Sequence, residues 1–173
     1  MEKFRNGNFT LESNSIEDGY ILEKHGKYGS ANIDGIPSLS PHLKWQNIPD
    51  GTECFVVVMQ DYDAIPVTGF SWIHWVAIIP KEYRELLENA SREDKKLIQG
   101  VNSWVSRLKG LNIKDVCYFG GPTPPDKDHT YEIKIYALDK KLEIKKGFYL
   151  NELYKKMKRH ILAEAVLEGN YKA

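Results

Sequence analysis

No apolar run in this chain is long enough to cross a bilayer as a helix, which takes about 20 consecutive apolar residues. The longest, Trp72 to Pro80, carries a histidine and stops at proline. The first ten residues, Met1 to Thr10, hold no apolar stretch and no small-residue cleavage site. They do not read as a secretory leader, and the expected location is cytoplasmic. Cysteine is scarce: Cys54 and Cys117 cannot build a disulfide framework, and both sit among apolar neighbours, as buried thiols do. Neither sign of charge dominates, with 24 Lys plus Arg against 24 Asp plus Glu. A nucleic-acid binder normally carries a basic excess or a basic face, so no nucleic-acid partner is expected. No glycine-rich phosphate or dinucleotide loop follows a strand, and no glycine-flanked serine elbow is present. No repeat, low-complexity tract or linker divides the chain, so residues 1–173 read as one domain.

What is there is an ordinary globular composition, 42% hydrophobic and 28% charged over 173 residues, enough to bury a sizeable core. Residues 1–50 are rich in turn formers, among them Asn6-Gly7 and Asp18-Gly19, with room for short strands such as Tyr20 to Leu22. Glu53 to Gln60 is a nearly unbroken β-branched and aromatic run, expected to be a strand buried on both faces. Ser71 to Ile79 is a second strand, in which strict alternation points His74 away from the face of Ile73 and Trp75. Lys81 to Asn89 reads as a short helix with Tyr83, Leu86 and Leu87 on one stripe. Ser91 to Lys114 reads as loop anchored by Trp104 and Leu108, and Val116 to Phe119 as a strand running into a stiff loop, Gly120 to Pro125. Thr130 to Leu138 alternates, with Tyr131, Ile133 and Ile135 on one face. Leu150, Leu153, Tyr154, Met157, Ile161 and Ala165 follow helical spacing, with Asn151 as N-cap and Gly169 as stop. The pattern predicts a mainly β, antiparallel architecture with a few peripheral helices, including a C-terminal one.

Two segments place polar side chains at strand ends beside stiff turns. One is Asp61-Tyr62-Asp63-Ala64-Ile65-Pro66 followed by His74-Trp75; the other is Gly121-Pro122-Thr123-Pro124-Pro125 followed by His129-Thr130-Tyr131. Strand ends of this kind meet at one rim of a sheet. Carboxylate, imidazole and phenol groups on a proline-stiffened frame suit a small polar ligand, because rigid walls lower the ordering cost of binding. Singly, each residue has a plainer role: Asp61 and Asp63 as turn-stabilising carboxylates, His74 as a core histidine, Tyr131 and Trp75 as packing. Their coincidence makes the case for a pocket.

The same residues resemble the phosphatidylethanolamine-binding protein family, especially its bacterial and archaeal, Raf-kinase-inhibitor-like branch. Pro41-His42-Leu43-Lys44-Trp45 and Pro49-Asp50-Gly51-Thr52 resemble the entry to the family's first core strand. Asp61 to Pro66 and His74-Trp75 match one signature; Asn102-Ser103-Trp104, Gly121 to Pro125, His129 and Tyr131 match a second. His160-Ile161-Leu162-Ala163-Glu164-Ala165 through Gly169-Asn170-Tyr171 is similar to the family's C-terminus. The resemblance implies a β-sandwich-like fold, a large central sheet packed on a smaller one. It also implies a pocket for phosphate-like anions, including phospholipid headgroups, lined by Asp61, Asp63, His74, Gly121, Pro122, His129 and Tyr131. It further implies a regulatory or inhibitory role exerted through a kinase or protease partner, with a homodimer left open.

The chain departs from the family pattern where Tyr62 and Ile65 replace two prolines, and where Thr130 stands in place of an arginine, which removes a fixed positive charge. A cis peptide before Tyr62 would cost about 2.5–4 kcal/mol, so a trans, reshaped turn is expected. Within the pocket, His74 and His129 are expected to donate to an oxyanion, with Asp61 orienting one imidazole. A hydrolase using Asp61 or Asp63 with a histidine lacks a nucleophile motif. A metal site from Asp61, Asp63, His74 and His129 lacks the close ligand spacing that would support it. The expectation is a non-enzymatic binding protein with no cofactor and no metal.

Overall fold

The computed structural model describes residues 8–106 and 108–173, so the Asn6-Gly7 turn and most of Met1 to Thr10 lie outside the described residues. The strands are β1 (Thr10–Glu12), β2 (Ile16–Glu17), β3 (Tyr20–Ile21), β4 (Asn32–Ile33), β5 (Ile36–Pro37), β6 (Leu43–Gln46), β7 (Cys54–Asp61), β8 (Trp72–Pro80), β9 (Glu85–Leu86), β10 (Ile98–Gln99), β11 (His129–Leu138) and β12 (Ile161–Tyr171). The α-helices are α1 (Ile65–Thr68), α2 (Ala90–Glu93) and α3 (Leu150–Met157). Seven strands form the large sheet in the order β10-β8-β7-β11-β12-β3-β2, and β1-β6-β9 form a smaller one. All neighbours in the large sheet are antiparallel except β12 and β3.

The unbroken apolar run of β7 needs two covered faces, and it has them. Phe55, Val57 and Met59 meet Leu43, Trp45 and Leu86 of the small sheet. Cys54, Val56 and Val58 point the other way, onto Leu150, Leu153 and Met157 of α3. All eight residues of β7 are buried, as the lack of alternation in the sequence requires. β11 pairs with β7 on one side and β12 on the other, and Tyr131, Ile133 and Ile135 share the face toward the small sheet.

Four segments differ from the sequence expectation. Ser91 to Lys114, expected as loop anchored by Trp104 and Leu108, holds most of α2 and the edge strand β10, and Leu108 is 60% exposed. Lys81 to Asn89 is not a helix: Leu86 pairs with Leu43 in β9, Leu87 turns outward at 65% exposure, and Asn89 adopts a left-handed φ of 68°. Val116 to Phe119 buries Val116, Cys117 and Phe119 without entering a ladder. The helix predicted to run to Gly169 ends at Met157, where Arg159 turns with a φ of 70°, and Ile161 onward is the edge-to-centre strand β12. Its start also moves: Leu150 opens α3, and Glu152 accepts from the Tyr149 backbone N–H at 2.7 Å, so Asn151 lies inside the helix. Side chains at Ala163, Ala165 and Tyr171 alternate inward, a period of two that the i, i+4 reading of Met157, Ile161 and Ala165 concealed.

Candidate functional site

The site is built on one face at one end of the large sheet. Asp61 and Tyr131 are direct cross-strand partners at the ends of β7 and β11, and His129 lies two residues before Tyr131 on the same face. His74 arrives by a different device. Met59 pairs with Trp75, but Gln60 pairs with Ile73, so β8 carries one extra residue, His74, in a β-bulge. A bulge breaks alternation and re-aims a side chain. The expectation from strict alternation is therefore corrected in part: His74 lies opposite Ile73, as expected, but on the same side as Trp75. There its ring meets Tyr131 edge-on at 5.0 Å.

Both backbone and side chain of His74 are clasped by the glycine loop. Gly120 N–H donates to the His74 carbonyl at 2.9 Å, and His74 Nδ1 donates to the Gly120 carbonyl at 2.6 Å. A carbonyl only accepts, so Nδ1 carries the proton and the neutral ring presents a lone pair at Nε2. That Nε2 is buried and has no hydrogen-bond partner. Burial pulls the His74 pKa down to about 4, against the opposing charge of Asp61 and the Gly120 carbonyl. With Nδ1–H engaged by Gly120, the neutral ring offers a ligand an acceptor at Nε2 rather than the donor expected from the sequence.

His129 is the opposite case. Its Nδ1 bonds Asp61 Oδ2 at 2.7 Å and its Nε2 bonds Asp126 Oδ1 at 2.9 Å. Burial alone lowers this imidazole, but the hydrogen bonds and charges of Asp61 and Asp126 more than reverse it, and its pKa lies above the ordinary value. Two carboxylate acceptors require two N–H donors, which is the protonated ring. The same bond holds the Asp126 carboxyl below its ordinary value. Asp61 is not bare: its other oxygen accepts from Ala64 N–H at 3.0 Å. The Tyr131 hydroxyl is buried without a partner, and burial, reinforced by the Asp61 charge, raises its pKa, so it remains a neutral O–H.

A cavity of about 190 Å³ opens onto Asp61, His74 and His129, with Tyr131 fully buried behind them against the His74 ring. Its wall includes Asp61, His74 and His129, with Trp72, Trp104 and Pro124. Trp104 stands edge-on to both His74, at 5.5 Å, and Trp72, at 5.3 Å. It is fixed by Asn102, whose side chain accepts from Trp104 N–H at 3.1 Å and donates to the Tyr118 carbonyl at 2.9 Å. The structure places the other sequence candidates around this wall. Asp63 sits at the rim, accepting from Thr130 N–H at 2.9 Å with Lys127 at 3.8 Å. Gly121 and Pro122 pack behind the cavity: Gly121 N–H donates to the Pro37 carbonyl, and the Pro122 carbonyl accepts from Lys27 N–H. No described peptide bond is cis, so the Asp61-Tyr62 turn is trans. Sequence reasoning missed Asp126 and Trp72. The signals were an acid three residues before His129 and an aromatic two residues before His74.

A family model described as phosphatidylethanolamine-binding protein matches residues 12–172. The chain belongs to the phosphatidylethanolamine-binding protein family. It is 48% identical over 154 residues to YxkA of Bacillus subtilis, covering 86% of this chain and 92% of that protein. It is 34% identical over 133 residues to YbcL of Escherichia coli, covering 75% of this chain and 68% of that one. The crystal structure of YbcL, described as a member of the mammalian family, superposes with a TM-score of 0.77 at 27% identity, covering 96% of this chain and 99% of that one. A family homologue from Chlamydia trachomatis, CT736, gives 0.78 at 27% identity over 95% of this chain and 97% of that one. The large sheet, the small sheet packed on it and the flanking C-terminal α3 are thus the family's fold. Among the described residues no helix is long and apolar enough to cross a membrane.

Proposed function

We propose that this chain binds a small phosphate-bearing ligand, inorganic phosphate or a phosphorylated headgroup, in the Asp61–His74–His129–Tyr131 pocket, and that it acts as a binding protein rather than an enzyme. The observation that carries the reading is the pair of buried, unpartnered polar atoms, His74 Nε2 and Tyr131 Oη, beside a protonated His129. A buried polar atom without a partner is costly, and a ligand that supplies both partners relieves it. A protonated phosphate can supply them: its P–OH donates to His74 Nε2 on the cavity wall, and its oxygens accept from His129 Nε2–H in place of Asp126 and from Tyr131 O–H behind the wall.

Neither serine beside the site stands against a base. The Ser71 hydroxyl faces Gln60, and the Ser103 hydroxyl accepts from Ile73 N–H. Cys117 is a buried thiol whose pKa burial pushes up, facing the Ile113 carbonyl. Val67 and Leu108, both exposed, give the cavity wall an apolar rim. That rim supports a regulatory role in which a protein partner, such as a kinase or protease, reads the pocket.

The test is a phosphoethanolamine titration followed by NMR at about pH 6 and about pH 8. The second pKa of a phosphomonoester is about 6, so the P–OH form that His74 accepts from is enriched at the lower pH. Signals of His74 and His129 should shift and saturate at lower ligand concentration there. Histidine signals that ignore the ligand at both pH values would sink the reading.

A further inference from the structure

The outer face of His129 is already occupied. Asp126 Oδ1 lies 2.9 Å from Nε2, in the position an oxygen of the proposed ligand takes. The two carboxylates on this ring are unequal. The inner pair is closed off, with side-chain exposures of 1% for His129 and 5% for Asp61, whereas the Asp126 side chain is 49% exposed. Asp126 also leaves the proline-stiffened loop directly after Pro124-Pro125, so it has a fixed root and a solvated head. The inner contact holds the ring; the outer one can exchange.

We infer that Asp126 is a specificity-determining residue of this pocket, an internal carboxylate that excludes carboxylate ligands and yields to a phosphate group. The inference rests on the anion-binding reading above. A free carboxylate offers His129 the same N–H···O bond that Asp126 already makes, but it must come from solution. A tethered group acts at an effective concentration of about millimolar or more, so an equal bond from a free competitor does not displace it. A phosphate brings more than the bond it replaces. It carries a P–OH for the His74 Nε2 lone pair and a further oxygen for Tyr131 O–H, both of which Asp126 leaves unsatisfied. Lys109, also on the cavity wall, adds a cation on the ligand side. The orphaned atoms and the occupied one therefore make a filter. An entering ligand displaces the carboxylate at His129 only if it also satisfies the two groups the carboxylate does not reach.

The experiment compares inorganic phosphate with acetate, titrated against the wild type, Asp126→Ala, Asp126→Asn and Asp128→Ala at about pH 7, following the imidazole signals of His74 and His129. The wild type should respond to phosphate and not to acetate. In Asp126→Ala acetate should now bind at His129, and the phosphate-to-acetate preference should fall about tenfold, the worth of one charge-assisted hydrogen bond at a half-exposed position. Asp126→Asn keeps an acceptor oxygen without the charge and should fall between the two. Asp128 carries the same charge two residues away but faces Ala173 N–H and the Tyr20 hydroxyl, so its removal should leave the preference as in the wild type. Unchanged acetate exclusion in Asp126→Ala, with phosphate binding intact, overturns the filter and leaves the anion pocket standing. An equal change in Asp128→Ala also overturns it, since bulk charge would then be the cause. Absence of any phosphate response in the wild type and in Asp126→Ala removes the anion reading, and the filter with it.

Discussion

His74→Asn tests whether the imidazole at the bulge is held neutral. The asparagine amide N–H stands close to the place of Nδ1, so the donor to the Gly120 carbonyl is kept while the titration is removed. In the unfolded chain a histidine gains its proton near 6.5; in the folded protein burial of this ring defers that step to about 4. Between those values the unfolded chain binds more protons than the folded one, so stability falls as pH falls through the interval. At about 1.4 kcal/mol per pH unit, the wild type should lose about 3 kcal/mol on this account by about pH 4. His129 acts in another window. Its raised pKa gives stability that is complete below 6.5 and is lost as pH rises through the folded value. Asp126, lowered from 3.8, contributes above that value and loses its share as pH falls below it. His25 is lowered by burial and acts in the His74 window, but it is present in both proteins and cancels in the difference. Urea melts in steps from about pH 7 to about pH 4 give the comparison. The variant has a pH-independent cavity cost of about 1–3 kcal/mol, but its curve should be flatter in acid by about 3 kcal/mol. Two parallel curves would refute the neutral, deferred imidazole.

Met157→Asp should destabilise the domain by at least about 3 kcal/mol, because Met157 is 1% exposed between α3 and the sheet and the carboxylate would have no partner there. An unchanged denaturation midpoint would show that this layer does not pack as described. Gly121→Ala should lower stability by about 1–3 kcal/mol and weaken the phosphate response, since an added Cβ would lie 2.0 Å from the His25 carbonyl oxygen, an atom of the backbone. Melting and titration curves that match the wild type would mean that the loop relaxes freely.

The central strands were legible because their composition leaves little choice. Cys54–Asp61 has no polar face to show to water, and His129–Leu138 alternates over its first half. The C-terminal segment was not, because Met157, Ile161 and Ala165 satisfy helical spacing across a chain reversal that only the left-handed backbone at Arg159 reveals. Lys81 to Asn89 misled for a related reason: a three-residue apolar stripe fits one helical turn and also fits a short strand followed by an exposed corner. In the site, Asp61, His74 and His129 could be nominated from strand ends beside stiff turns. Their roles could not. Which imidazole is protonated depends on whether a carbonyl or a carboxylate faces each ring nitrogen, and those partners, Gly120 and Asp126, are contributed by one loop folded back over two strands. The register offset at His74 has no composition signal of its own.

That offset makes the pocket a matter of chain length as well as residue identity. If one residue between Trp72 and Trp75 were removed, β8 could zip against β7 without interruption, and the ladder itself would be the more regular for it. The imidazole would then be lost or turned toward α3, and the Gly120 carbonyl would lose its donor. A single-codon deletion here would thus erase the site while leaving a well-paired sheet, whereas a substitution at the same position keeps the frame in which a pocket can be rebuilt. In the undeleted chain the bulged register is the one that buries both Trp72 and Trp75, and the clasp of Gly120 on His74 adds to what holds it.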